Sequence, residues 1–261
     1  PWTQGTHGDA AIQSLAASTI PTFPYSITAT KDGKTYNGTM VGGSPSALAT
    51  TPINAVVVPL KISIGSATFD PSAASTTCNT PAAVSDFMAS PLVVPASITY
   101  GGANGTSITA QYIDGFRRAE FWGQTGGNPG YTNPISYSTA LPYVVSSSVV
   151  GRHGITYSSG CSLLGIVSYS WLDSYLRNTV MPALKNANVI SPASFVIFLM
   201  KNVVQSTSSI PSTRNCCILG YHGATGSPVQ TYSPIDWDTT GLFGASVHDA
   251  SIAAHEIGEW M

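Results

Sequence analysis

The last sixteen residues of the chain, 246–261, constrain the fold most, because they predict a helix with two different faces. Ser246 followed three residues later by Asp249 resembles a capping box, which is typical of a helix start. Apolar residues recur at three- and four-residue spacing, and this face is expected to pack on a core. It comprises Ala250, Ala253, Ala254, Ile257 and Met261.

The other face of the predicted helix carries polar chemistry. It contains His248, Ile252, His255 and Glu259, at positions i, i+4, i+7 and i+11. His255 and Glu259 therefore lie one turn apart and point the same way, which is the spacing of two metal ligands. Glu256 projects about 100° further round the helix. From there it could reach a water beside the ion without binding the ion itself.

The pattern His255-Glu256-x-x-Glu259 resembles the His-Glu-x-x-His helix of the zincin metallopeptidases. The resemblance implies that His255 and Glu259 hold Zn²⁺ and that Glu256 is the general base. Glu259 stands where those enzymes have a second histidine. Zinc accepts a carboxylate oxygen, but the exchange leaves another divalent ion open as the cofactor. Only three glutamates occur in the chain, and two of them are in this motif.

A catalytic zinc site takes three protein ligands, and this helix supplies two. The resemblance places the third ligand after the metal helix, so the functional chain is expected to extend beyond Met261 and the C-terminal part to be incomplete. His248 and His222 are the alternatives within the chain as ligands or cleft residues.

Charged residues make up only 8% of the chain, with ten Lys and Arg against twelve Asp and Glu. Such a surface offers no basic field for nucleic acid, and no apolar run is long enough to span a membrane. Low charge and an even set of four cysteines favour a secreted or cell-surface protein with two disulfides. Because a bond between neighbouring cysteines is strained, one of Cys216 and Cys217 is expected to join Cys161 or Cys78.

The chain divides by pattern into an arm (1–24), a β-rich part (25–150) and an α/β part (151–261). The β-rich part predicts hairpins over 25–41 and 97–111, a short helix over 84–90 and a strong strand over 54–64, which Pro59 would place at an edge or a bulge. A helix over 112–122 is expected to bury Ile113 and Phe116 and to carry Arg117 and Arg118 on its outer side.

In the α/β part, apolar periodicity from Leu163 to Val180 predicts a long helix that Pro182 stops or kinks. Strands are predicted over 193–204 and 217–224, and an irregular segment over 230–242 carries Asp236 and Asp238, interpreted as loop structure. The fold class is therefore α+β, with a β-rich N-terminal half and a C-terminal half of mixed sheet, backing helix and metal-site helix.

This order of elements is similar to the amino-terminal lobe of zincins, where the sheet strand nearest the cleft receives substrate as an added strand. The resemblance implies that Leu219, Gly220 and Tyr221 belong to that strand. The function predicted is a secreted metal-dependent peptidase acting on protein or peptide substrates. The alternative is a non-enzymatic exported surface, adhesive or filament-forming protein that self-assembles and in which the helix motif is a relic.

Overall fold

The computed structural model describes residues 19–100, 105–125, 130–159, 161–244, 247 and 249–261. Expectations on most of the N-terminal arm, on Ser246 and on His248 lie outside the described residues. The strands are β1 (Thr22–Thr28), β2 (Thr35–Val41), β3 (Ile53–Ile64), β4 (Ala67–Phe69), β5 (Ala96–Thr99), β6 (Ser107–Ala110), β7 (Ile135–Thr139), β8 (Tyr143–Val145), β9 (Gly154–Ser159), β10 (Ser162–Ser168), β11 (Ser194–Lys201), β12 (Val203–Ser206), β13 (Cys216–Ile218), β14 (Gly223–Thr225) and β15 (Gln230–Trp237).

The helices include one long run and several short ones. The long run is α5 (Tyr169–Tyr175), a π-helical turn (Leu176–Val180) and α6 (Met181–Asn186), joined without a break. The other α-helices are α1 (Ala83–Ala89), α2 (Tyr112–Glu120), α3 (Trp122–Thr125), α4 (Ser147–Val150) and α7 (Ser251–Trp260). Short 3₁₀ turns cover Pro45–Ala47, Gly151–His153 and Thr213–Asn215.

The larger sheet has seven strands in the order β14-β15-β11-β3-β4, with β7 and β8 also paired to β3. β3, β11 and β15 run parallel to one another, and β14 closes one edge antiparallel to β15. Of the two alternatives predicted for Pro59, an edge strand or a bulge, the edge strand is wrong, because β3 is central. On one side of β3, β7 pairs as far as Val57 and β8 begins at Leu60. Pro59, which has no N–H to donate, lies in the gap between these two partners.

Consecutive residues of the central strands are apolar, and their side chains point alternately to the two sides of the sheet, so both faces of the sheet are apolar. Ala55 and Val57 of β3 pack in a core with α1, α2 and α7, whereas Val56 and Val58 pack against the long helical run. The molecule is thus a β-rich mixed fold with helices on both faces of a sheet, which agrees with the predicted α+β class. Because β3 pairs with β11, residues from both predicted halves of the chain form one sheet. The domain boundary at residue 150 stays a prediction. Within the described residues, no helix is both long and apolar enough to cross a bilayer.

The predicted helix over 163–180 is wrong in its first part. Residues Ser162–Ser168 form β10, which pairs with β9 and β12 in a four-stranded sheet ending at β13. The helix begins after Ser168, whose side chain accepts a hydrogen bond from the Trp171 N–H. Pro182 does not stop it, because the proline lies in the first turn of α6, after the π-helical turn, and the helix continues to Asn186.

Two further expectations are overturned by burial. Residues 230–237, predicted to be irregular, form the fully buried strand β15, in which Thr231, Ser233 and Asp236 are polar residues inside the core. In α2 the arginines face inward: Arg117 is 1% and Arg118 0% exposed, whereas Phe116 is 49% exposed. The helix and the burial of Ile113 were therefore predicted correctly, but Phe116 and the two arginines were assigned to the wrong sides.

Cys161 is oxidised, as expected from the even cysteine count, and its partner is Cys78. The second disulfide joins Cys216 to Cys217, so the prediction that this adjacent pair would bond elsewhere is wrong. The bridge between Cys78 and Cys161 ties the loop before α1 to the start of β10. Both disulfides are typical of a protein that folds in an oxidising compartment.

Candidate metal centre

The helix α7 carries the predicted motif and begins at Ser251, later than the capping-box pattern indicated. Asp249 precedes it with a φ of 44°, a left-handed conformation that lies outside the helix. The inward face of α7 is formed by four buried residues, Ile252, Ala253, Ile257 and Trp260. Ile252 was assigned to the polar face of the helix, and that assignment is wrong.

Packing fixes α7 against the sheet along its whole length. The Trp260 ring stacks on Phe195 of β11, with centroids 3.8 Å apart and planes 10° from parallel. Burying each large side chain of this face contributes about 1.5–3 kcal/mol. At the end of the helix the Met261 carbonyl accepts hydrogen bonds from the Val41 N–H (2.8 Å) and from Nη1 of Arg117 (3.3 Å). The polar face is therefore presented from a rigid element.

Two of the motif residues lie at the surface. The side chains of His255 and Glu259 are 58% and 46% exposed, and Nε2 of His255 lies 3.4 Å from Oε1 of Glu259. This contact confirms that an imidazole and a carboxylate one turn apart converge. Glu256 differs from both, since its side chain is only 8% exposed.

The structure adds His222, which comes from the segment between β13 and β14. Its Nδ1 hydrogen-bonds Oε2 of Glu256 at 3.2 Å and lies 4.0 Å from Oε2 of Glu259. One ligand atom from each of His222, Glu256 and Glu259 lies within 4.8 Å of the other two. Glu259 thus presents one carboxylate oxygen to each of two imidazoles, His255 on its own helix and His222 across from it. We call His222, His255, Glu256 and Glu259 the site cluster.

Gly220 sets how closely α7 approaches the edge of the sheet. A Cβ at this position would lie 2.8 Å from Cγ of Glu256 and 2.9 Å from Cγ2 of Ile252. Such distances are too short for any side chain, so the helix rests directly on the glycine backbone. This contact, together with the bridge that pairs Gly220 with Ile235 of β15, brings His222 within reach of the helix.

The backbone at Gly220 also has a definite orientation. The Leu219 carbonyl accepts a hydrogen bond from the Asp236 N–H (2.8 Å), and the Tyr221 N–H donates to the Pro234 carbonyl (3.3 Å). In an antiparallel pair the residue between two such positions directs its N–H and C=O to the opposite side. The polar backbone groups of Gly220 therefore point away from β15, toward the outer edge of the sheet.

A buried hydrogen-bond network anchors this segment to the long helical run. The Tyr221 hydroxyl donates to Oδ1 of Asp173 (3.0 Å), the Tyr232 hydroxyl donates to the same oxygen, and Arg177 pairs with Oδ2 at 3.0 Å. Burial, first of all, raises the pKa of Tyr221 well above its usual value, so its hydroxyl stays a donor. The pair of Asp173 and Arg177 has local i, i+4 spacing. The two tyrosines could not be found from the sequence, because their partner is distant in the chain.

The aspartates interpreted as loop structure have two different surroundings. Asp238 accepts hydrogen bonds from the Thr240 N–H (3.1 Å) and Thr240 hydroxyl (2.6 Å), which agrees with a role in ordering the loop. Asp236 lies in β15 and accepts the Val203 N–H at 2.9 Å. Burial, and then the neighbouring charge of Asp238, raise the pKa of Asp236 well above its usual value.

The described residues thus define a β-rich mixed protein with a His/Glu/Glu group capable of holding a metal ion. Comparison of the chain with protein-family models, curated proteins and solved structures found no match. Its function has therefore to be inferred from the site itself.

Proposed function

We propose that this protein is a secreted metal-dependent peptidase whose divalent ion, Zn²⁺ by preference, is held by Glu259 together with His255 and His222. The observation that carries the proposal is the position of Glu259, with one carboxylate oxygen 3.4 Å from Nε2 of His255 and the other 4.0 Å from Nδ1 of His222. Ligands bound at about 2.0–2.2 Å in a tetrahedral shell lie about 3.4 Å from one another. Imidazole nitrogen and carboxylate oxygen are both zinc ligands, so the donors fit the ion in kind, and the distance from Glu259 to each imidazole is close to that spacing.

Glu256 is the group best placed to act as general base. It lies beside His222, at 3.2 Å, and its side chain is nearly buried, so few waters compete for its carboxylate. When bound, the ion lowers the pKa of a nearby water and polarises a substrate carbonyl. Glu256 then accepts the proton of that water and delivers it to the leaving amine.

The sheet edge supplies a place for an extended peptide. Leu219 and Tyr221 use their backbone groups to pair with β15, so the groups of Gly220 are directed outward beside Glu256. A peptide added antiparallel to this edge would pair with them and bring a scissile bond to the site cluster. Two features support the proposed likeness to zincins: an antiparallel edge segment next to a parallel sheet, and a helix carrying His-Glu-x-x-Glu beneath it.

The test is to compare Glu256→Gln with wild type in zinc content and in hydrolysis of casein and a quenched peptide library. We expect the variant to keep about one zinc per chain and to lose about 10²–10⁴-fold in rate, the usual share of a general base. Glu120→Gln is the matched control, since Glu120 is the one glutamate outside the motif and is exposed on α2.

Each of the other outcomes is decisive. Full activity of Glu256→Gln would show that Glu256 is not the base. Loss of zinc by the same variant would instead make Glu256 a ligand with His222 and Glu259. A wild type that binds no divalent ion and cleaves nothing, but forms polymers, would favour the structural alternative.

A further inference from the structure

A second candidate binding site lies along the long helical run and shares no residue with the site cluster. It is an open cleft with a volume of about 390 Å³, within the range of roughly 300–1,000 Å³ that is typical of small-ligand sites. The lining residues come from α5, from the π-helical turn and from two loops that carry His153 and Ser209. None of the residues assigned to the metal centre borders it.

Three aromatic rings stand parallel in this cleft. His153 and Trp171 have centroids 5.7 Å apart and planes 4° from parallel, and Trp171 and Tyr175 have centroids 5.6 Å apart and planes 10° from parallel. All three side chains are half-buried, so their rings are held by the protein and still reach solvent. Burial, and then a hydrogen bond with Tyr143 that also fixes the ring, raise the pKa of Tyr175 to about 12.

A row of uncharged polar side chains runs beside the rings. Trp171 and Tyr175 are one turn apart on the helix, and Ser174 and Asn178 form the adjacent row, in which Nδ2 of Asn178 donates to Oγ of Ser174 (3.0 Å). A primary amide and a hydroxyl have donors and acceptors beyond that one bond. Across the cleft, Nδ1 of His153 lies 3.4 Å from the Ser209 carbonyl oxygen.

The π-helical turn places further polar groups at the same spot. It spans Leu176–Val180 and brings Asn178 and Thr179 to the cleft, while Leu176 and Val180 remain in the core. Turns of this type are rare in proteins, and those that occur are often found at functional sites. The turn also accommodates Pro182, so by itself it would have a structural explanation; the stacked rings beside it do not share that explanation.

We propose that this cleft binds a neutral saccharide through its pyranose rings. A pyranose has an apolar face of C–H groups, which packs on the negative face of an aromatic ring, and a rim of hydroxyls, which needs donors and acceptors close by. The aromatic row and the polar row of the cleft match these two parts of one sugar. The site is independent of the metal centre and would bring a glycan or a glycosylated protein to the molecule.

The charges of the cleft argue against other ligand classes. Among the described residues that line it, none is Lys, Arg, Asp or Glu. A phosphate-bearing ligand would lack the cation that normally pairs with it, and a cationic ligand would lack a carboxylate. A proline-rich peptide also packs on aromatic grooves, but it offers few hydroxyls for the polar row.

The test is isothermal titration of the full chain with cellotetraose, chitotetraose, mannotetraose and maltotetraose, followed in parallel by tryptophan fluorescence. We expect at least one tetrasaccharide to bind with a millimolar dissociation constant or tighter. Trp171→Ala should weaken that binding at least about tenfold. Trp122→Ala is the matched control, because Trp122 packs against Tyr100 and does not line the cleft, and it should bind as wild type does.

A second variant separates binding from folding. Ser174 and Asn178 are exposed, so the double substitution Ser174→Ala, Asn178→Ala should leave the circular dichroism spectrum unchanged and still weaken binding at least about tenfold. Absence of binding by all four sugars would overturn the proposal, as would wild-type affinity in both variants. Binding of a proline-rich decapeptide in place of the sugars would overturn it in favour of peptide recognition. Hydrolysis by the metal centre is not expected to change in either variant.

Discussion

Two groups of charged and imidazole side chains in this chain have opposite surroundings. In the site cluster, side-chain donors face one another at a surface: Glu259 contacts both His222 and His255, and its side chain is 46% exposed. In the core, Arg117 donates to the carbonyls of Val41 and Met261, and Lys201 donates to those of Ala73 and Pro81.

The difference lies in the partners. A charge that donates to backbone carbonyls inside the core joins distant segments of the chain and is closed off from solvent, so its role is structural. Acidic and imidazole groups that face each other near solvent can hold a proton or a cation between them. The comparison predicts that changes in the first group alter stability, and that changes in the second alter binding and catalysis.

The largest effect on stability is expected from Arg117→Ala. The change leaves a cavity and removes the donor that Nη1 provides to two buried carbonyls, so the free energy of unfolding should fall by about 3–5 kcal/mol. Phe116→Ala, one residue earlier and 49% exposed, should cost less than about 1 kcal/mol. Urea denaturation measures both. Equal losses would mean that the inward direction of Arg117 is incorrect.

Gly220→Ala is expected to affect both stability and metal binding, because the new Cβ would lie 2.8 Å from Cγ of Glu256. We expect a loss of about 1–3 kcal/mol in stability from the overlap, accompanied by weaker zinc binding as Glu256 is displaced. Gly123→Ala is the control, since a Cβ there meets nothing within 4 Å. If the two variants matched in stability and in zinc affinity, the close contact between α7 and the sheet edge would be refuted.

A smaller effect, visible in its pH dependence, is expected from Asp236→Asn. Burial raises the pKa of Asp236, so the native state keeps a proton that the unfolded chain releases above about pH 4. The stability that this group contributes is complete below the unfolded pKa and is lost as pH rises toward the folded pKa. Asparagine stays neutral, so the free energy of unfolding of the variant should fall less than that of wild type as pH rises from about 5 to about 8.

The control for this slope is Asp32→Asn. Asp32 is exposed, and hydrogen bonds from the Lys34 N–H and then the Tyr36 hydroxyl lower its pKa. Its contribution is therefore present above the unfolded pKa and lost only at acid pH, so this variant should keep the wild-type slope above pH 5. Identical slopes for Asp236→Asn and wild type would show that Asp236 is ionised in the folded protein.

The sequence predicted the parts of the molecule that depend on neighbours along the chain. The hairpin of β1 and β2, the helix α1 and the convergence of His255 with Glu259 all follow from local spacing. His222 could be proposed only as one of two histidines, because its position depends on the pairing of Gly220 with Ile235. Its counterpart, His248, lies outside the described residues.

The errors have physical causes. Leu163, Leu164 and Val167 continued the apolar period of the helix that follows them, and so β10 was taken for helix; Ser168 as a cap was the signal for the true start. β15 carries polar residues and was taken for a loop, although a central strand can bury them when they are hydrogen-bonded. Arg117 and Arg118 were placed outside by their charge, and only the three-dimensional structure supplies their carbonyl partners.

The measurement that tests the account most directly is zinc titration by calorimetry into metal-free wild type, His222→Ala and His153→Ala. The account predicts about one zinc per chain for wild type and a loss of at least about tenfold in affinity for His222→Ala. His153→Ala, which alters a histidine in the aromatic cleft, should bind zinc as wild type does. Wild-type affinity in His222→Ala, or no zinc bound by any of the three proteins, would contradict the proposed metal centre.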